Sequence, residues 1–175
     1  GIMHQFKEPG QKLIPQPQRF FPQPGTNAAS ATVDPSWPKA IWFLGHLAIA
    51  LLFAIPTISL GAAAVFAMLT GVTLCCGHSV GLHRLLIHRS FRCPKPLEYT
   101  LVYLGVLVGM GGPFGMMYLH EIRDWAQKQP RSHPFFGHKR RWWTDAWWQL
   151  CCEVRLKVPP AFAPEPEVAN DRFYR

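Results

Sequence analysis

The sequence predicts an all-α membrane protein with one transmembrane helical hairpin, a re-entrant or in-plane apolar helix, and interfacial helices. Three observations support this fold class. Of the 175 residues, 49% are hydrophobic and 16% are charged. The apolar residues form a few long blocks instead of a helical or strand period, which is typical of chains that lie in a bilayer. A tryptophan-rich, basic segment follows the last block and has the composition of an interfacial helix.

The longest block runs from Ala40 to Gly77 and contains no Lys, Arg, Asp or Glu. A spanning helix needs about 20 apolar residues, so this block predicts two crossings joined by a turn at residues 56–59. A soluble core is the alternative, but core helices rarely stay uncharged over such a length. A cleaved signal peptide is excluded because the block is too long and starts too far into the chain.

These blocks divide the chain into four regions. Residues 1–38 are proline-rich and predict an extended cytoplasmic tail. Residues 39–77 form the transmembrane hairpin, and residues 78–150 form a histidine-rich region that includes the in-plane apolar segment. Residues 151–175 are again proline-rich and bring no further apolar block, so we expect a truncated end.

Basic side chains flank the apolar blocks. Lys39 precedes the hairpin, while Arg84, Arg89, Arg92 and Lys95 follow it. By the positive-inside rule both ends of the hairpin then face the cytoplasm. The net charge of +8 would also suit a nucleic-acid partner. The position of the charges beside the apolar blocks predicts a lipid bilayer as the partner and no nucleic acid.

A third apolar block runs from Leu97 to Leu119 and is interrupted by the sequence GMGGPFG at residues 109–115. A straight spanning helix disfavours such a run of glycine and proline. Both flanks of the block are basic, so a re-entrant or in-plane segment satisfies the charge rule better than a crossing does. The histidines before and after the block then lie on one side of the membrane and can converge; they are His83, His88, His120, His133 and His138.

The segment from Lys139 onward reads KRRWWTDAWWQL. Indole rings prefer the headgroup region, and the three consecutive cations would meet anionic lipid phosphates, so we expect an interfacial helix. Stacking on nucleic-acid bases is the competing explanation.

The chain contains eight histidines and five cysteines. The cysteines show no C-x-x-C spacing for zinc or a redox pair, whereas several imidazoles with few thiolates favour iron or zinc. His83 and His88 are five residues apart, which places them about 140° apart on a regular helix. They could serve two adjacent ions, one of them could lie where the helix frays, or both could simply form hydrogen bonds.

The run from Gly77 to Arg92, GHSVGLHRLLIHRSFR, resembles the first histidine box of the integral membrane fatty acid desaturases of the acyl-CoA, delta-nine type. Asp124-Trp125-Ala126 resembles the acidic-Trp-Ala sequence that precedes the family's second box. The resemblance extends over residues 39–150 and to the amino-terminal half of the family pattern. It implies a non-haem diiron centre, oxygen-dependent insertion of a double bond into a fatty acyl substrate carried as acyl-CoA or lipid, and an electron-donor protein.

The family pattern also identifies expected iron ligands. His83 and His88 match the first box, and His133 falls at a histidine position of the second box. Gln129 and Ser132 stand where two further ligands belong, so we expect His120 and His138 to replace them. The third box of the family is absent from the sequence.

Two other functions remain open from the residues themselves. The chain could be a haem-binding membrane electron carrier with His46 or His78 as an axial ligand. It could instead be a non-catalytic membrane-interface protein with a basic aromatic patch. A hydroxylase built on the same scaffold is a close relative of the desaturase hypothesis.

Overall fold

The computed structural model describes residues 17–137 and 139–175. In this part of the chain, helices predominate, and the strands are short. The helices are α1 (Trp37–Ile49), α2 (Leu60–Gly71), α3 (Lys95–Val106), α4 (Pro113–Gln127), α5 (Trp142–Cys151) and α6 (Pro166–Ala169). The strands are β1 (Phe20–Phe21), β2 (Ala31–Pro35), β3 (Cys152–Leu156) and β4 (Ala161–Phe162). The predicted helical fold class is confirmed.

Two of the helices are long and apolar enough to cross a membrane. The first comprises α1 and a π-helical continuation, so that it extends over Trp37–Ala54, and the second extends over Leu60–Ile87. Only 6% of each apolar window is buried, whereas a soluble core helix would be mostly buried. A turn follows at residues 55–57, and the Ser59 hydroxyl caps α2 by accepting a hydrogen bond from the Ala62 amide. The predicted hairpin is therefore present, with its apolar side chains available to lipid.

The second long helix does not end at Gly77. It continues as a π-helical segment, Val72–Ile87, a form whose defining hydrogen bond runs from an amide to the carbonyl five residues earlier. The first histidine pair therefore lies on the same continuous helix as the apolar crossing. Arg89 ends this helix in the left-handed region with φ 50°, a conformation that costs roughly 1–2 kcal/mol for a residue with a Cβ.

Helix α3 packs antiparallel against the π-helical segment. Gly77 lies against the backbone of Leu104 and Gly105, and Gly81 lies against Leu101. Glycines four residues apart allow two helix backbones to approach closely, as in small-xxx-small pairs of membrane helices. Because α3 runs alongside a helix long enough to span, the arrangement favours the re-entrant form of the third apolar block over the in-plane form.

This close approach gives a stability prediction. An added Cβ at Gly81 would lie 2.4 Å from the Leu101 carbonyl oxygen, so Gly81→Ala should force the helices apart and cost about 1–3 kcal/mol. Thermal unfolding in detergent, followed by circular dichroism, measures this loss. Gly61→Ala is the matched control, because nothing lies within 4 Å of a Cβ there and alanine is the better helix former. Equal midpoints for the two variants would contradict the packing.

The third apolar block is broken where its sequence predicts. Helix α3 ends at Val106, and α4 begins at Pro113, whose missing amide proton is tolerated in a first turn. Gly109 and Gly111 between them have φ values of 83° and 142°, a region that favours glycine. The break lets α4 bring its later residues back to the end of the π-helical segment.

The proline-rich ends pair with each other. Strand β1 pairs antiparallel with β4, and β2 pairs antiparallel with β3 along Ala31–Leu156 to Pro35–Cys152. Phe20 and Ala28 belong to a buried core with residues of α4 and the 3₁₀ turn Pro134–Phe136. The described part of residues 1–38 is therefore packed into the fold and is not a free extended tail. Strand pairs of this kind were not predicted, because their partners lie far apart in the sequence.

Candidate metal centre

Three of the five predicted histidines lie together. His83 and His88 come from the π-helical segment, and His120 comes from α4. If one ring nitrogen is taken from each histidine, the three nitrogens all lie within 4.8 Å of one another. The ring centroids are 4.4, 5.1 and 4.8 Å apart. We call this set the histidine cluster.

The π-helical geometry explains how residues five apart can meet. The His88 amide donates to the His83 carbonyl at 2.9 Å, the i to i−5 bond that defines a π turn. Residue i+5 then lies above residue i, whereas a regular helix would separate the two side chains by about 140°. The Nε2 atoms of His83 and His88 are 3.2 Å apart. The expectation that their spacing is awkward for one ion is corrected by this local widening of the helix.

Helix α4 supplies the third imidazole and a carboxylate beside it. Asp124, one turn after His120, places its Oδ2 3.5 Å from the His120 Nδ1. A carboxylate next to a ligating histidine commonly fixes its ring orientation and tautomer. Glu121, the residue after His120, points to a different partner: its Oε1 lies 3.0 Å from the Nη1 of Arg19.

The cluster fits a transition metal in both geometry and charge. Two nitrogens bound to one ion at about 2.0–2.1 Å are separated by roughly 3 Å, close to the observed 3.2 Å between His83 and His88. Burial lowers the pKa of His88, with the neighbouring His120 adding to the effect, and burial also lowers the pKa of His120. The neutral imidazole is the form that binds metals.

His133 lies elsewhere, after α4. Its Nδ1 accepts a hydrogen bond from the Phe135 amide at 3.1 Å and caps the 3₁₀ turn, and its ring packs 5.6 Å from that of Trp148. A neutral imidazole that accepts on Nδ1 carries its proton on Nε2. Neither nitrogen is then free for a metal, which disfavours His133 as a ligand. His138 lies outside the described residues.

Sequence reasoning missed Arg19, a residue of the proline-rich start. Its side chain is 1% exposed and donates to Glu165 at 2.8 and 2.9 Å and to Glu121 at 3.0 Å. Burial would raise the pKa of Glu165, but the hydrogen bonds from Arg19, a backbone hydrogen bond and the charges of Arg19 and Arg89 together hold that pKa below its usual value. No motif marks Arg19 in the sequence, because each of its partners is distant in the chain.

Comparison with known proteins finds relatives among the lipid desaturases. The chain is 31% identical over 151 residues to an sn-1 stearoyl-lipid 9-desaturase of Anabaena variabilis, over 86% of this chain and 54% of that relative. It is 30% identical to the sn-1 stearoyl-lipid 9-desaturase of Synechocystis sp., over 85% of this chain and 46% of the relative. The chain belongs to the fatty acid desaturase family. It spans about half the length of these curated relatives.

Other desaturase relatives differ in the substrate that their names state. An acyl-CoA C20 Delta5-desaturase of Anemone leveillei is 36% identical over 139 residues, which cover 77% of this chain and 43% of that relative. No family model matches the chain, and no solved structure gives a significant match. The histidine cluster, at one end of an apolar hairpin, is thus found in a member of the desaturase family.

Proposed function

We propose that this chain forms part of a membrane fatty acyl desaturase, in which the histidine cluster holds one iron of a non-haem diiron centre. The observation that carries the proposal is the meeting of three imidazoles from two helices at the end of an apolar hairpin. Three imidazoles are too few for two irons, so the proposal assigns only one part of the centre to these residues.

Iron would supply the chemistry that the side chains lack. With dioxygen it provides an oxidant able to remove hydrogen from an unactivated C–H bond. The residues of this chain hold and orient it: His83 and His88 from the π-helical segment, His120 from α4, and Asp124 beside the His120 ring. Neutral imidazoles leave the ion more positively charged than carboxylates would.

The proposed substrate is a fatty acyl chain. The names of two relatives state a stearoyl group carried on a lipid, and a third names acyl-CoA, so the acyl carrier is lipid or CoA. The reaction consumes two electrons in addition to those of the C–H bonds, and we propose that a small electron-donor protein delivers them. A hydroxylase would use the same residues and differ only in where the substrate carbon lies.

The proposed location is a bilayer, with the histidine cluster on the cytoplasmic side. The support is electrostatic: Arg84, Arg89 and Lys95 surround the cluster end of the hairpin, and positive charge favours that side. The turn at the other end carries no charge. Cysteine labelling from each side of sealed vesicles tests this arrangement, and labels at positions 83 and 120 on opposite sides would contradict it.

Absorption and iron content test the diiron proposal against the haem alternative. The His46 Nδ1 lies 2.6 Å from the Trp42 carbonyl oxygen and donates to it, which leaves Nε2 available, so the haem alternative has to be tested by measurement. We expect the purified chain, loaded with Fe²⁺ anaerobically, to bind iron without a Soret band. A Soret band after incubation with haem, without non-haem iron binding, would favour the electron carrier.

Helix α5 gives a further prediction about the bilayer. The indoles of Trp142, Trp143 and Trp147 are 75%, 51% and 46% exposed, and the Arg141 guanidinium lies 5.3 Å from the Trp143 ring centroid. In single-tryptophan variants, we expect lipids brominated near the headgroup to quench Trp143 more strongly than lipids brominated at the chain end. Trp125, which packs against Phe20 in the core, is the control and should be quenched by neither. If lipids brominated near the headgroup and at the chain end quenched Trp143 equally, an interfacial α5 would be contradicted.

A further inference from the structure

Arg19 connects three separate parts of the chain through one buried side chain. Its Nε donates to Glu165 Oε2 at 2.9 Å, and its Nη2 donates to Glu165 Oε1 at 2.8 Å. Its Nη1 donates to Glu121 at 3.0 Å, and its Nη2 also donates to the Leu86 carbonyl at 2.9 Å. These contacts use four of the five N–H donors of the guanidinium, which is 1% exposed.

Two of these partners belong to the helices that carry the histidine cluster. The Leu86 carbonyl lies in the last turn of the π-helical segment, between His83 and His88. Carbonyls of a last helical turn have no amide partner within the helix, and basic side chains can satisfy them. Glu121 directly follows His120 on α4. Arg19 therefore ties the end of one histidine-bearing helix to the other.

The remaining partner anchors Arg19 from the opposite direction. Glu165 lies at the start of α6 and also faces Arg89 at 3.7 Å, the residue that ends the π-helical segment. The backbone of Arg19 is fixed too, because its carbonyl accepts a hydrogen bond from the Ala163 amide at 2.9 Å. Both ends of the arginine are thus held, and the guanidinium is preorganised before a metal binds.

A planar guanidinium suits this place better than an ammonium. Its donors are fixed in a fork that reaches two carboxylates and a carbonyl at once, whereas lysine is a point charge on a flexible stem. The π-helical segment and α4 also meet in a buried apolar core that contains Leu82, Leu86 and Met117. Arg19 adds a polar link between the Leu86 carbonyl and Glu121, and this link bears directly on the separation of His120 from His83 and His88.

We propose that Arg19 is a positioning residue of the metal centre, which sets the distance between His120 on α4 and the His83–His88 pair on the π-helical segment. This inference rests on the proposed function, in which the histidine cluster binds metal. Arg19 itself touches neither metal nor substrate. It holds the three imidazoles at a separation that one ion can bridge.

The test compares Arg19→Met, Arg19→Lys and Arg155→Met in the full chain, with Co²⁺ as the probe. Cobalt reports ligand geometry through its visible absorption and takes the same nitrogen ligands. We expect Arg19→Met to bind Co²⁺ about 10- to 100-fold more weakly than the unchanged chain, the loss typical when a group that orients ligands is removed. Its cobalt spectrum should also shift at saturation. Arg155→Met should behave like the unchanged chain, because Arg155 is exposed and pairs only with Glu153 among the described residues.

Arg19→Lys keeps the charge and protects the test against misfolding. We expect it to fold, to bind Co²⁺ more weakly and to show a shifted spectrum, because one ammonium cannot span the three acceptors. A purely structural role would lower the unfolding temperature and leave the saturated cobalt spectrum unchanged. Folded Arg19→Lys with the affinity and spectrum of the unchanged chain would overturn the inference. Failure of the unchanged chain to bind Co²⁺ would instead overturn the proposed function.

Discussion

Replacing His88 with alanine is expected to remove most Fe²⁺ binding. His88 is the one member of the cluster whose ring lies within 5 Å of both others, at 4.4 Å from His83 and 4.8 Å from His120. Loss of one ligand from three should weaken binding by more than about 100-fold, beyond the range for losing a group that only orients a ligand. Equilibrium dialysis against Fe²⁺ under anaerobic conditions, with iron quantified by absorption of a chelate, measures this effect.

His133→Ala is the matched control for this experiment. The His133 ring caps the 3₁₀ turn and packs on Trp148, outside the cluster. We expect the His133→Ala variant to retain Fe²⁺ affinity within about threefold. The loss of the cap should lower the stability of this variant by roughly 0.5–2 kcal/mol. If His133→Ala lost iron as completely as His88→Ala, the assignment of ligands from the sequence resemblance would be better than the assignment from geometry.

Exchanging the adjacent residues 83 and 84 is expected to abolish the site, although the amino-acid composition stays the same. The variant His83→Arg with Arg84→His places its histidine four residues before His88. On a regular helix, residues four apart share a face, so the exchange would create a favourable metal pair. In the π-helical segment, residues five apart are the ones that meet, as the 3.2 Å between the Nε2 atoms of His83 and His88 shows. The exchange should therefore cost more than about 100-fold in Fe²⁺ affinity, similar to removal of a ligand.

The exchange variant is informative because both positions are exposed on the same helix. Folding should be unaffected, and circular dichroism in detergent checks that the helical content matches the unchanged chain. A conservative control is the exchange of the exposed neighbours Leu51 and Leu52 for valine, far from the cluster. Retained iron binding by the 83/84 exchange would mean that this segment is a regular helix in solution, and the π-helical explanation of the cluster would be wrong.

Much of the membrane architecture follows from local features of the sequence. The uncharged run from Ala40 to Gly77 predicts the hairpin, since bilayer thickness sets the length of a crossing, and the structure has the turn at residues 55–57. The glycine and proline residues at 109–115 predict the break between α3 and α4 for a similarly local reason, because a positive φ favours glycine. The structure confirms both.

The histidine cluster was predicted only in part. The prediction that histidines before and after the third apolar block can converge is confirmed for His83, His88 and His120. Their role as iron ligands remains a prediction. His133 matched the family pattern, but its position depends on the 3₁₀ turn and on the contact with Trp148, which no local pattern reveals. The prediction that the His83 and His88 side chains lie about 140° apart was wrong, because it assumed a regular helix.

By itself, the sequence determined which segments can enter a bilayer, where the third apolar block breaks and which histidines are available to converge. These depend on hydropathy, on backbone freedom and on charge, all of which are properties of consecutive residues. Only the tertiary structure decided that the helix widens so that His83 meets His88, that Gly77 and Gly81 receive α3, and that Arg19 joins the two histidine-bearing helices. The physical reason is that each of these features is held by contacts between residues far apart in the chain, or by a hydrogen-bond register that side-chain composition does not specify.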